Sequence, residues 1–220
     1  MKEYDREKVR CIGLFGTGGT GKTALAEALL FISGAATRLG SIEKGNTVLD
    51  YEEEEIKRQH SISTGFAHLE WDKHLVHLVD GPGDPNFMTE SYVTLDAVDT
   101  LVFTIDAVDG ARMQAVNLWN KAGDLGMARV IALTTLDRDR SDFEAAAGSV
   151  KEMLGVEPVV ITAPVSVGEG FNAVADFIKN KIFTYSEPGT GKYETSDLTD
   201  ELAAQRETFV ERVVEADDEV

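Results

Sequence analysis

The run Gly16-Thr17-Gly18-Gly19-Thr20-Gly21-Lys22-Thr23 constrains this chain more than any other feature, because it matches G-x-x-x-x-G-K-[ST] in full. Its context agrees with the pattern. Residues 9–15 read as an apolar strand, the glycines as a loop, and residues 22–32 as a helix with Leu25, Leu29 and Ile32 on one face. Glycine tolerates positive φ, so backbone N–H groups can converge on an anion while the positive end of the helix adds its own attraction. The implied ligand is a nucleotide. Gly16 to Thr23 would cradle its phosphates, Lys22 would reach the β- and γ-phosphates, and Thr23 would ligate Mg²⁺. A flexible glycine turn before a helix is the plain alternative, and the strand–loop–helix order argues against it.

Beyond the loop, short apolar runs alternate with amphipathic stretches up to about residue 154. This is the pattern of an α/β fold with a mainly parallel sheet and helices on both faces. Residues 64–71 and 74–80 read as two strands joined by a tight turn at Asp72 and Lys73, and residues 100–106 and 129–135 as buried strands. Helices are expected over about 111–125, with Met113, Val116 and Leu118 near one side, and over 142–154. Residues 38–63 are charged without an apolar period and read as a mobile segment. After Gly155 the composition shifts to prolines and glycines among β-branched residues, then to an acidic helical stretch over 198–218, which places a boundary near residue 157. A turn is expected at Pro188 to Gly191.

A second motif, Asp80-Gly81-Pro82-Gly83-Asp84, closes an apolar strand 57 residues after Thr23. A carboxylate at the end of a neighbouring strand can hold a water ligand of Mg²⁺, and Gly83 can bring its N–H to a γ-phosphate and rearrange when that phosphate leaves. A D-x-P-G turn alone is an ordinary loop; paired with the phosphate loop it becomes specific.

With Gly110-Ala111-Arg112-Met113-Gln114 and Trp119, these motifs resemble the G domain of elongation factor G. The resemblance implies a phosphate-loop GTPase of Ras-like fold that uses GTP, GDP and Mg²⁺ and acts on the ribosome. Asp50 through Ser63 is similar to the family's first switch, and Ser61 stands where its Mg²⁺-ligating threonine would be. Two departures matter. The family's D-T-P-G-H ends in a histidine that orients the attacking water, whereas Asp84 here accepts hydrogen bonds and cannot donate one when ionised. Lys22, Gly83 and Asp84 are thus the candidate catalytic residues, with weak intrinsic hydrolysis expected from like-charge repulsion at Asp84. The family's guanine motif N-K-x-D appears as Thr134-Thr135-Leu136-Asp137, keeping only the aspartate and losing the asparagine and lysine that support loop and base. Adenine offers Asp137 no matching pair of donors, so guanine is still expected.

Pro164 to Phe171 admits two readings. It either completes a small Ras-like domain ending near residue 183 or starts the subdomain inserted in the G domain of elongation factor G. The second is favoured by Gly191-Lys192-Tyr193-Glu194 and by Arg206, Arg212, Glu215, Ala216 and Asp217 in the final helix. Residues 1–157 would then be a G domain without its last strand and helix, and 158–220 a partial α+β inserted subdomain. The chain would be a fragment with an exposed sheet edge.

Composition sets outer limits. A formal charge of −18 argues against direct capture of nucleic acid, which needs clustered Lys and Arg. The single cysteine, Cys11, allows no intrachain disulfide and reads as a buried, inert thiol. Residues 1–10 lack a signal-peptide core, and no apolar run approaches the ~20 residues that span a bilayer, so a cytoplasmic, monomeric protein is expected. His60, His68, His74 and His77 lack zinc-site spacing. Phe31, Phe66, Trp71 and Phe103 read as core or partly buried. A partition-type P-loop ATPase is the rival enzyme, though Thr17 stands where that family has an extra lysine. A nucleotide-holding module that no longer hydrolyses is the rival from the binding class.

Overall fold

A computed structural model describes residues 2–187 and 189–216. Strand β1 (Val9–Gly16) runs through the phosphate loop into helix α1 (Lys22–Ile32). The short helix α2 (Glu53–Arg58) precedes the hairpin of β2 (Gly65–Trp71) and β3 (His74–Asp80). Asp72 and Lys73 both take positive φ, 43° and 63°, as a two-residue hairpin turn that follows strand twist requires. Helix α3 (Met88–Thr94), β4 (Thr100–Asp106), α4 (Met113–Asp124), β5 (Ala128–Thr134) and α5 (Phe143–Leu154) follow.

Five strands form one sheet in the order β2-β3-β1-β4-β5, parallel except for β2. Period-two alternation explains its two cores. Leu14 and Leu78 face α1 and pack with Ala26, Leu30 and Leu69, whereas the adjacent Phe15 and Val79 face the other way. There they join Leu101, Phe103 and Ile105 of β4, Leu118 and Trp119 of α4, and Val150 and Leu154 of α5. Phe103 meets Trp119 edge-on at 5.8 Å between ring centroids, and the Arg129 guanidinium covers Trp119 at 4.4 Å.

Several expectations need correction. On α1 the core-facing positions are Ala26 and Leu30, whose small and branched side chains bring the helix close to the sheet. Leu29 and Ile32 are exposed. On α4 the buried stripe is Ala115, Leu118, Trp119 and Ala122, a spacing of i, i+3, i+4 and i+7, while Met113 points to solvent. The charged 38–63 segment is not structureless, since it contains α2. Phe66 and Trp71 are exposed because β2 is an outer strand. Cys11 is only half-buried; that burial, reinforced by Asp99, raises its thiol pKa.

A second sheet of β6 (Thr162–Pro164), β7 (Ala173–Asp176), β8 (Lys181–Tyr185) and β9 (Tyr193–Ser196) is antiparallel throughout. Helix α6 (Asp200–Ala216) covers it, burying Leu202 against Ala163, Ala175, Phe177 and Ile182. Arg206 Nε donates to the Phe177 carbonyl at 2.9 Å. Among the described residues, no strand from this region joins the five-stranded sheet, whose outer strands are β2 and β5. The expectations at Pro188, Asp217 and Asp218 lie outside the described residues.

Candidate nucleotide-binding site

In a doubly wound sheet, ligands sit beyond the carboxyl ends of the strands where the chain order reverses. Here that point is β1, flanked by β3 and β4. A cavity of about 300 Å³ opens beside it. Gly18, Gly19, Gly21, Lys22 and Thr23 line one side, Ile42, Asp50, Gln59, His60 and Ser61 another, and Gly83 and Asp84 a third.

The phosphate loop has the backbone its glycines permit. Gly19 and Gly21 adopt φ of 79° and 73°, and the carbonyl of Gly21 already accepts from the N–H of Leu25 at 2.9 Å, starting α1. Thr17 and Thr20 are buried, and Thr20 Oγ1 donates to the Thr17 carbonyl at 2.9 Å. Gly16, at φ 151°, sits against Thr104 with no space for a Cβ. Lys22 is buried and donates from Nζ to the Thr17 carbonyl at 2.9 Å, which folds its head over the loop. Burial lowers its pKa, with Asp80 and Asp50 pulling the other way. An incoming phosphate would supply the missing counter-charge. A Cβ on Gly83 would strike Lys22 Nζ and the backbone of Thr17 and Gly18, so only glycine brings the 80–84 loop this close.

Four oxygen-bearing side chains converge below the cavity. Thr23 Oγ1 donates to Asp80 Oδ2 at 2.6 Å and lies 3.3 Å from Ser61 Oγ, which donates to Asp50 Oδ1 at 2.7 Å. Asp80 Oδ1 and Asp50 Oδ2 are buried without partners among the described residues. Burial pushes the Asp80 carboxyl up to about 7, only partly opposed by the Thr23 hydrogen bond and Lys22, and raises that of Asp50 as well. Two orphaned carboxylate oxygens beside two hydroxyls are hard donors that suit Mg²⁺. The residues present therefore fit that ion.

The sequence profile of the elongation factor Tu GTP binding domain matches residues 7–215. The chain belongs to this family. Elongation factor G 1 of Synechocystis sp. (strain ATCC 27184 / PCC 6803 / Kazusa) is 30% identical over 99% of this chain and 32% of its own length. The mitochondrial ribosome-releasing factor 2 of Drosophila ananassae is 32% identical over 97% of this chain and 30% of its own. A crystal structure of a Thermus thermophilus protein superposes with a TM-score of 0.85 at 30% identity, covering 95% of this chain and 31% of that one. The chain thus spans about a third of the length of these relatives. A GTP-binding domain implies a guanine nucleotide as ligand. Among the described residues no helix is long and apolar enough to cross a membrane.

Against this family background, the replaced motifs take definite positions. Asp84 reaches the cavity, but its Oδ1 accepts from both the backbone N–H and the side-chain amide of Asn86, each at 2.8 Å. At the end of β5, Thr134 Oγ1 reaches the carbonyls of Thr20, at 3.0 Å, and Ile105, at 3.2 Å. This hydroxyl ties the end of β5 to the phosphate loop. Thr135 takes φ 58°, its Oγ1 accepts from Ala107 N at 3.2 Å, and Asp137 lies at the same end. Thr134, Thr135 and Asp137 lie outside the cavity lining.

Sequence reasoning missed three carboxylates. Asp50 and Glu55 it placed only within the switch. Glu27, buried on α1, accepts at Oε1 from the N–H groups of Val48, at 2.6 Å, and Leu49, at 3.3 Å. Glu55, buried on α2, accepts from Ile62 N at 2.9 Å and Ser63 N at 3.0 Å. A glutamate inside an otherwise apolar helix face, as at Glu27, was the available signal.

Proposed function

We propose that this chain is the GTP-binding and GTP-hydrolysing switch of a translation factor resembling elongation factor G, which works at the ribosome. Its relatives named elongation factor G and ribosome-releasing factor support the setting. The observation that carries the reading is the convergence of Ser61 and Asp80 on Thr23, at the end of the phosphate loop that lines the cavity. Lys22 and the loop amides would bind the β- and γ-phosphates, with Gly83 reporting the γ-phosphate. Thr23 and Ser61 would hold Mg²⁺ directly and Asp80 through water. When bound, that ion neutralises developing charge on the phosphates. Thr134 and Thr135 would shape the base pocket and Asp137 would accept from the guanine N1–H and N2–H₂, rejecting adenine by leaving a polar group unpaired.

Residues 1–157 then act as the nucleotide domain and 158–220 as its inserted subdomain, a division supported by the two separate sheets. Intrinsic hydrolysis is slow, because the carboxylate at Asp84 repels the triphosphate. A non-hydrolysing binding module is the second reading, favoured by the capture of Asp84 by Asn86. Equilibrium binding of GTP, GDP and ATP, each with Mg²⁺ and with EDTA, tests the assignment. Guanine nucleotides should bind at least about tenfold more tightly than ATP, with Mg²⁺ strengthening GTP binding. A preference for ATP would end the guanine reading.

A further inference from the structure

We infer that His60 is the residue that orients the attacking water for hydrolysis in this chain, a role that Asp84 cannot fill. The inference rests on the GTP reading above and names the catalytic group of that site.

Attack on a γ-phosphate needs a fixed hydrogen-bond acceptor for the water, on the open side of the phosphate loop and facing its lysine. The side chains lining the cavity outside the loop and capable of accepting are Asp50, Gln59, His60, Ser61 and Asp84. Ser61 and Asp50 are engaged with each other and with Thr23 at the base of the site. Asp84 is turned onto Asn86 through two hydrogen bonds, and as a carboxylate it is repelled by a triphosphate. Gln59 is exposed at the end of α2, where φ is 56°, so its amide is not held in advance.

His60 differs on each count. It is half-buried, and its Nδ1 lies 3.1 Å from the Arg58 carbonyl. A carbonyl only accepts, so Nδ1 carries a hydrogen, and in the neutral ring Nε2 then keeps a lone pair for another donor. The ring also packs against Phe87 at 6.4 Å between centroids, tying the 59–61 loop to the 80–87 loop. A ring held in advance by the Arg58 carbonyl and Phe87 thus sits at the junction of the two segments that would face the γ-phosphate.

In the reaction, the water that donates an O–H to His60 Nε2 forms a new bond from its oxygen to the γ-phosphorus. The bond from that phosphorus to the β,γ-bridging oxygen breaks, and its electron pair leaves with GDP. The proton lost by the water passes to the released phosphate, and His60 ends as it began.

The test is single-turnover hydrolysis of GTP by the full chain with Mg²⁺, run beside equilibrium binding of a fluorescent GTP analogue. Wild type is compared with His60→Ala, His60→Gln, Gln59→Ala and Asp84→Ala. His60→Ala should lower the hydrolysis rate by about 100-fold, the scale of loss when a reacting group is misplaced, with affinity changed less than about twofold. His60→Gln, which keeps an acceptor, should recover part of the rate, Gln59→Ala should stay close to wild type, and Asp84→Ala, relieved of like-charge repulsion, should hydrolyse faster than wild type. Unimpaired hydrolysis by His60→Ala, or the loss appearing in Gln59→Ala or Asp84→Ala instead, would overturn the inference while leaving the GTP reading intact; GTP binding without turnover by wild type would overturn the inference and leave only the binding part of that reading. Failure of wild type to bind GTP would overturn both.

Discussion

Asp80 shows how one residue carries a site's thermodynamics. Its carboxyl titrates near 7 because burial penalises the charge more than Thr23 and Lys22 offset it. Without metal, the folded chain therefore holds a proton that the unfolded chain releases near pH 4. The folded state binds more protons across that window, so this group's contribution to stability falls as pH rises from about 4 to about 7 and is flat above. Asp80→Asn removes the dependence. Without Mg²⁺, wild type should lose on the order of 2 kcal/mol relative to Asp80→Asn between pH 5 and pH 8, as read from urea midpoints. With saturating GDP and Mg²⁺ at pH 8 the order should reverse, because the ionised carboxylate then has its cation. Parallel pH profiles for the two proteins would contradict the burial argument.

At the scale of elements, the segment between α1 and β2 is held by two buried glutamates. Glu27 receives the N–H groups of Val48 and Leu49, and Glu55 those of Ile62 and Ser63, so both flanks of the switch are tied to helices. Gly40 lies against the Glu27 carboxylate with no room for a Cβ. Glu27→Ala should leave two N–H groups unpaired and cost about 2–4 kcal/mol. Cleavage within 41–48 by dilute protease should become faster, and GDP affinity in Mg²⁺ should fall because Asp50 and Ser61 lose their placement. Unchanged proteolysis would mean that the loop is held elsewhere. This tether also explains what the sequence made legible. The runs that became β1, β3 and β4 are apolar on consecutive positions because both faces are buried, and such runs announce themselves. Helix α2 did not, since it is one and a half turns of charged residues stabilised by Glu55 and by the contacts at its ends rather than by an apolar face. The phosphate loop and the Asp80 turn were readable because their chemistry lies in contiguous residues. Glu27, Asp50 and His60 act on partners distant in the chain, through loops whose path only the fold determines.

For the whole molecule, the two sheets have separate cores, one around Phe15, Phe103 and Trp119 and one around Ala175, Phe177 and Ile182. Half-buried Phe143 of α5 packs against the second core. The ion pair between Arg212 and Glu157 adds little, being 3.9 Å long with both side chains well exposed. Every residue proposed to touch nucleotide belongs to the first sheet and its loops. A ligand stabilises only what its binding requires to be folded, by RT ln(1 + [L]/Kd), about 2.7 kcal/mol at a hundredfold excess over Kd. Hydrogen exchange followed by mass spectrometry should then show GDP and Mg²⁺ slowing the amides of 16–23, 46–63 and 80–84, with α1 following. The amides of β7 and β8 should exchange at the same rate with and without ligand. Equal slowing in both sheets would mean that they open as one cooperative unit, with Phe143 and the α5 junction transmitting the stabilisation. Substituting Phe143→Ala would then weaken the protection of the second sheet, since it removes an apolar contact from α5 to the second core.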